Sequence, residues 1–153
     1  MTTATAGPRP APDRSPDRPR PVQLPGFDRT LEFEPGLRAV ALRNVPGTLP
    51  VFATHFPRHP ILPGVLLLED MGALAAAASG DGLWLLRSIR TVRFRHFVGP
   101  GDQVTLTVER LSRTADTAEW RAEAAVAGRA VATARGVTVA LAGAPYDRQG
   151  RAS

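Results

Sequence analysis

The chain of 153 residues contains no cysteine and no lysine. Without cysteine it cannot form disulfides, thiolate metal sites or a cysteine nucleophile. All 19 basic residues are arginines, and they give a net charge of +5. A positive balance favours acidic partners, but these arginines are spread along the whole chain. The charge alone therefore indicates no particular function.

Long apolar runs are also missing. Val65 to Leu68 is followed directly by Glu69 and Asp70, whereas a membrane-spanning helix needs roughly 20 apolar residues. The first residues are rich in proline and arginine and lack the apolar core of a secretory signal. We therefore expect a cytoplasmic protein.

Composition predicts one folded domain between two tails. Residues 1–24 contain six prolines between Pro8 and Pro21 and very few apolar side chains, which is typical of a disordered segment. Residues 143–153 are polar and predict a flexible C-terminal tail. The remaining residues, 25–142, are enough for a single hydrophobic core.

The first half of this domain predicts a hairpin, a loop and one helix. Two short alternating segments are joined by Glu34-Pro35-Gly36, a turn signal. Residues 45–63 hold five prolines and predict an ordered loop. From Gly64 to Ala78 the chain is apolar on nearly all sides, which is typical of a buried helix. Ser79-Gly80 then ends the helix.

The second half predicts four long strands. Alternating segments run from Leu83 to Phe97, from about residue 103, through Trp120 to Val126, and from Ala130 to Leu141. One buried helix with antiparallel strands predicts an α+β domain, in which a curved sheet wraps around one long central helix.

His55 is the first candidate catalytic residue. Its side chain can take up a proton near neutral pH, and Pro57 and Pro60 would stiffen its loop. Alternatively, it is a structural histidine bonded to the backbone.

Glu69 is the second candidate. Its apolar neighbours on the helix predict burial, which would raise the pKa of its carboxyl group and let it donate a proton. On a helix it shares a face with Val65, Gly72 and Ala73, and small residues there would leave room for an acyl chain. Alternatively, Glu69 lies at a solvent-facing edge or a dimer edge beside Asp70.

Gly64 begins the helix. The unpaired amides of Gly64 and Val65 would lie at the positive end of the helix dipole and could polarise a thioester carbonyl. Alternatively, Pro63-Gly64 only shapes a turn.

Together these residues form a motif, His-Phe-Pro-x-x-Pro-x-x-Pro-Gly-Val-Leu-x-x-Glu, over residues 55–69. It closely resembles the signature of the 3-hydroxyacyl-[acyl-carrier-protein] dehydratases of the FabZ/FabA type, which are hot-dog-fold proteins of fatty-acid synthesis. The segment from Val92 to Asp102 resembles the family's strand and Pro-Gly-Asp turn. The segments Phe27-Asp28-Arg29 and Arg43-Asn44-Val45 also resemble family positions.

The resemblance implies a role for each of these residues. His55 would remove the α-proton, and Glu69 would help the β-hydroxyl leave as water. Gly64 and Val65 would bind the thioester carbonyl, and Phe56 and Ala73 would complete the substrate-binding set. The product would be a 2-enoyl thioester. No metal or other cofactor is implied.

The resemblance also implies partners. The substrate would be a (3R)-3-hydroxyacyl group on acyl carrier protein. The site would form in a homodimer, or a higher oligomer of dimers, with His55 and Glu69 from different subunits. Arg87, Arg90, Arg93 and Arg95 could form a basic rim for the carrier protein or its phosphopantetheine phosphate, or could simply be exposed strand positions.

Two positions depart from the family pattern. Thr54 replaces a glycine before the histidine, and Ala73 replaces a glutamine one turn after the glutamate. Ala73 would enlarge the pocket and suit a bulkier or branched acyl chain, as in polyketide-type synthesis. Alternative functions are a hot-dog thioesterase, an enoyl isomerase, or a non-catalytic acyl-binding partner of an active paralogue. The two departures favour the last of these.

Overall fold

A computed structural model describes residues 22–54 and 57–144 of the chain. Within these ranges the elements are β1 Arg29–Glu34, β2 Arg38–Asn44, α1 Val51–Thr54, α2 Gly64–Ala78, β3 Trp84–Phe94, β4 Gln103–Arg113, β5 Thr117–Val126 and β6 Arg129–Leu141. Neither described helix combines the length and hydropathy that crossing a membrane would require.

The strands form one antiparallel sheet in the order β1-β2-β4-β5-β6-β3. Helix α2 packs against the strands from β2 to β6. Alternate residues of a strand point to opposite faces of the sheet. One face therefore packs against α2, and the other is the outer face of the sheet. The predicted α+β architecture, with a sheet around one central helix, is confirmed.

The core lies between α2 and the inner face of the sheet. Leu106, Val108 and Trp120 of the sheet are fully buried, as are Met71 and Leu74 of the helix. Burying an apolar side chain of this size contributes roughly 1.5–3 kcal/mol. Burial alternates along the first half of β4 and along β5, as expected for strands with one face on the core.

Hydrogen bonds fix the C-terminal end of α2. The indole N–H of Trp120 donates to Ser79 Oγ (3.1 Å), which donates to Ala75 O (2.7 Å). Arg113 donates to the carbonyl of Ser79 (2.6 Å), and the amide of Gly36 donates to Ala78 O (2.7 Å). These donors satisfy carbonyls that a helix end leaves without an intrahelical partner.

Some boundaries differ from the expectations. Leu24, placed in the disordered tail by composition, is buried in the core, and its amide donates to Thr30 Oγ1 (3.0 Å). The proline-rich loop contains the short helix α1, which was not predicted. Strand β3 ends at Phe94 rather than Phe97, which is 82% exposed.

Candidate active site

A turn after β3 holds the chain that leads into α2. The amide of Leu62 donates to Val98 O (2.7 Å). Asp102 closes the turn by accepting the amide of Gly99 on Oδ2 (2.9 Å). Its backbone carbonyl accepts the amide of Val45 (2.9 Å). The Pro-Gly-Asp turn noted in the sequence therefore positions the start of the helix.

The Phe94 ring lies directly against Gly64. A Cβ atom added to Gly64 would lie 2.6 Å from the Phe94 ring, closer than van der Waals contact permits. Within the described residues, the amides of Gly64 and Val65 donate no hydrogen bond. The first turn of α2 thus has two amides, at the positive end of its dipole, that no described residue accepts.

Three predicted site residues form one exposed stripe on α2. Val65, Glu69 and Ala73 lie one turn apart and are all exposed. Gly72 differs, because a Cβ there would meet Leu86 Cδ2 at 2.7 Å. The expected space beside Gly72 is therefore filled by Leu86. The small residue that leaves open surface beside Glu69 is Ala73.

The two neighbouring carboxylates have opposite environments, and the expected burial of Glu69 is wrong for the single chain. Glu69 is exposed, whereas Asp70 is buried with 8% of its surface accessible. Burial raises the pKa of Asp70 to about 6, although the nearby Arg43 opposes the rise. Adjacent residues of a helix do not share a face, so the rotation of α2 that exposes Glu69 buries Asp70.

Arg43 of β2 is the partner of Asp70, a contact that the sequence did not predict. Its Nη1 lies 3.1 Å from Asp70 Oδ1 and also donates to the carbonyl of Gly26 (2.7 Å). The next residue, Asn44, donates its amide to Asp28 Oδ2 (2.7 Å). Arg43 and Asn44 therefore connect β2 to α2 and to the chain before β1.

One long edge of the sheet is open beside the exposed stripe. Among the described strands, β3 pairs only with β6. Val65, Leu86 and Phe94 are 58%, 41% and 54% exposed. We call these three residues the edge patch. Apolar surface next to an unpaired strand is typical of an association site.

Comparison with known proteins identifies the family. A family model described as ApeI-like, ApeI dehydratase, matches residues 34–135. The FabZ 3-hydroxyacyl-[acyl-carrier-protein] dehydratase of Syntrophotalea carbinolica is 42% identical over 70% of this chain and 78% of its own length. The Bordetella pertussis FabZ is 42% identical over 80% of this chain and 87% of its own. The chain belongs to the FabZ-type dehydratase family.

Solved structures confirm the hot-dog fold of this FabZ-type dehydratase. The TT0310 protein from Thermus thermophilus is 25% identical and covers 74% of this chain and 90% of its own, with a TM-score of 0.59. The dehydratase heterocomplex ApeI:P from Xenorhabdus doucetiae matches at 20% identity with a TM-score of 0.61, covering 79% of this chain and 98% of its own. As a FabZ-type enzyme, the chain is a hydro-lyase acting on 3-hydroxyacyl thioesters.

The described residues hold only part of the predicted site of the FabZ-type dehydratase. His55 and Phe56 lie outside them, so the pairing of His55 with Glu69 stays a prediction. Thr54 is exposed as the last residue of α1. Within the described ranges, no group of three or more His, Asp and Glu side chains could hold a metal ion.

The arginines of the predicted basic rim separate into different environments. Arg90 forms an ion pair with Glu119. Arg93 and Arg95 are exposed and, among the described residues, form no ion pair. Arg87 has an interaction of its own. These four side chains therefore do not act as one rim of free charges.

Proposed function

We propose that this enzyme removes water from a (3R)-3-hydroxyacyl thioester with His55 as the base and Glu69 as the acid. His55 takes the α-proton, and Glu69 gives a proton to the β-hydroxyl, which leaves as water. The double bond forms between the α and β carbons, giving the 2-enoyl thioester. The observation that carries this proposal is the exposed position of Glu69, one turn after the free amide of Val65 on the same stripe of α2.

The free amides at the start of α2 suit the negative charge that builds up during this reaction. Loss of the α-proton moves charge onto the thioester oxygen. Fixed N–H donors at a helix N-terminus stabilise such an oxygen without reorganising. Gly64 has no side chain of its own that would shield its amide, although the Phe94 ring lies beside it.

The acyl chain is proposed to lie along the stripe beyond Glu69, past Ala73, and to contact Phe56. Ala73 is exposed and ends at Cβ, so this surface admits more volume than a glutamine would leave. We infer a preference for a bulkier or branched acyl group.

Acyl carrier protein is the proposed carrier of the substrate, and the cytoplasm is the proposed location. The relatives are named for acyl-carrier-protein substrates, and the net charge of +5 suits an acidic partner.

The proposed assembly is a homodimer, or an oligomer of dimers, in which β3 and the edge patch meet a second copy. Pairing at β3 would satisfy its unpaired backbone groups and cover Val65, Leu86 and Phe94. The shared site, with His55 of one subunit and Glu69 of the other, is part of this proposal.

Turnover of a 3-hydroxyacyl thioester by single variants tests the chemistry. We expect His55→Ala and Glu69→Gln each to reduce kcat by about 10²–10⁴-fold, the usual contribution of a general base or acid. His59→Ala and Glu34→Gln are matched controls because both side chains are exposed and neither belongs to α2. Full turnover by both site variants would refute the roles. Release of free thiol instead of the enoyl product would indicate a thioesterase.

Mixing the two inactive variants tests the shared site. Suppose that each site takes His55 and Glu69 from different subunits. A mixed dimer then has one intact site of two, and random exchange makes about half of all dimers mixed. Roughly one quarter of the wild-type activity should therefore return. If both residues come from one subunit, mixing restores nothing.

A further inference from the structure

The outer face of the sheet carries a groove of about 600 Å³ that the dehydratase site does not use. It crosses five strands, from β2 to β3, on the face opposite α2. At about 4.8 Å between strands, this is a width of roughly 19 Å. Five arginines and two glutamates line it, for a net charge of +3: Arg38, Arg93, Arg95, Arg121, Arg135, Glu109 and Glu123.

The positive charges at the β2 end of the groove are already neutralised. Glu109 forms ion pairs with Arg38 and Arg121, and Arg38 also pairs with Glu32. Hydrogen bonding from Arg121 lowers the pKa of Glu109, so this carboxylate is ionised at neutral pH. This end of the groove has no charge left for a ligand.

The β3 end is different, because three arginines there outnumber one carboxylate, Glu123, which lies opposite Thr133 in the β5–β6 pairing. Arg93, Arg95 and Arg135 are exposed and, within the described residues, have no ion-pair partner. Arg93 lies directly opposite Thr133 in the β3–β6 pairing. The register places Thr91 opposite Arg135, because the flanking pairs are Arg90 with Gly136 and Val92 with Ala134. Arg93 and Arg135 are thus diagonal neighbours across the two strands. Thr91 and Thr133 lie on the opposite diagonal of the same four positions.

The backbone is irregular at the same place. The β5–β6 register shifts between Trp120 and Ala122, opposite Arg135. Thr91 has φ of +54°, an uncommon conformation for a β-branched residue. Bulges redirect side chains, and such conformations are found where the surrounding structure holds them in place. Thr91 and Arg135 both line the groove.

We propose that the β3 end of this groove binds a compact phosphate-bearing anion, with the phosphate held between Arg93 and Arg135 and accepting hydrogen bonds from Thr91 and Thr133. Guanidinium groups recognise phosphate through paired N–H donors. Side chains on a diagonal of a sheet start about 7–8 Å apart, a separation that two arginines can close around one anion. The volume of the groove suits a small molecule of nucleotide size.

Calorimetric titration of the full-length protein at low ionic strength tests the proposal, with inorganic pyrophosphate and ADP as probes. We expect saturable binding of one anion per chain, weakened about tenfold or more in Arg93→Gln and in Arg135→Gln, because each variant loses a charge-assisted hydrogen bond. Tighter binding of ADP would indicate an organic phosphate as the natural ligand, and equal binding would indicate recognition of the phosphates alone. Either result supports the site.

Arg129→Gln is the matched control. Arg129 is an exposed arginine on the same strand as Arg135, outside the groove. An equal loss of affinity in this variant would show that only the net charge matters and would overturn the proposal, as would the absence of saturable binding. Binding of an acidic carrier protein, lost in Arg135→Gln, with no binding of either probe would assign the groove to a protein surface instead.

Dehydratase turnover distinguishes this site from the proposed active site. Arg135→Gln should turn over a 3-hydroxyacyl thioester that bears no phosphate at the wild-type rate, since Arg135 lies on the opposite face of the sheet from α2. Loss of that turnover would show that Arg135 supports the dehydratase fold or site, and would contradict a separate anion site. Unchanged phosphate binding in Glu69→Gln would show that the two sites are independent.

Discussion

The buried carboxylate of Asp70 should make the protein less stable as the pH rises. Its pKa is raised from 3.8 to about 6, with burial as the main cause, attraction to Arg43 opposing the rise and repulsion from Glu69 adding to it. The folded state therefore binds more protons than the unfolded state between about pH 4 and pH 6. The contribution of Asp70 to stability is greatest below this window and is lost as the pH rises through it.

The size of this loss of stability follows from the difference between the folded and unfolded pKa of Asp70. At 1.36 kcal/mol per pKa unit, a rise from 3.8 to about 6 corresponds to a cost of about 3 kcal/mol once Asp70 is ionised. Asp70→Asn keeps the shape of the side chain and removes its charge. We expect this variant to match the wild type near pH 4 and to exceed its free energy of unfolding by up to about 3 kcal/mol at pH 8.

Urea unfolding at one protein concentration, from pH 4 to pH 8, measures this difference. Asp81→Asn is the control, because Asp81 is exposed in the turn after α2. The difference between Asp70→Asn and the wild type should grow between pH 4 and pH 6 and then remain constant. A variant less stable than the wild type at pH 8 would refute the reasoning and show that the ion pair with Arg43 outweighs the cost of burial.

Three further substitutions are expected to change turnover, stability or substrate preference. Gly64→Ala should lower turnover, since its Cβ would lie 2.6 Å from the Phe94 ring; initial rates should partly recover in a double variant with Phe94→Leu. Trp120→Phe removes the hydrogen bond to Ser79 Oγ, and urea unfolding should show a loss of about 1 kcal/mol or more. Ala73→Gln should reduce kcat/KM for branched acyl substrates more than for straight ones, and equal effects on both would contradict a pocket at this position.

The helix was predictable because its signals are local. Pro63-Gly64 and Ser79-Gly80 lie beside the helix ends that they determine, and α2 runs from Gly64 to Ala78 as expected. The hairpin at Gly36 was predictable for the same reason, because its turn conformation has a positive φ of 75°. The identity and order of these residues were sufficient to predict the helix and the hairpin.

Features that depend on distant residues were not predictable in the same way. Which of two adjacent carboxylates is buried depends on the rotation of α2 against β2, where Arg43 lies 27 positions before Asp70. The outer groove depends on the register of five strands and on an irregularity opposite Arg135. Alternation indicates which residues point outward but not which of them become neighbours across the sheet.

The hydrogen bonds at Ser79 have a mechanical consequence for catalysis. A helix of 15 residues is about 22 Å long, so tilting it by only about 3° around its C-terminal end moves its first amides by about 1 Å. An error of that size in a reacting group can cost roughly 10²-fold in rate. Trp120 and Arg113 hold the end about which α2 would tilt, so the proposed binding of the thioester carbonyl at Gly64 depends on that end staying fixed.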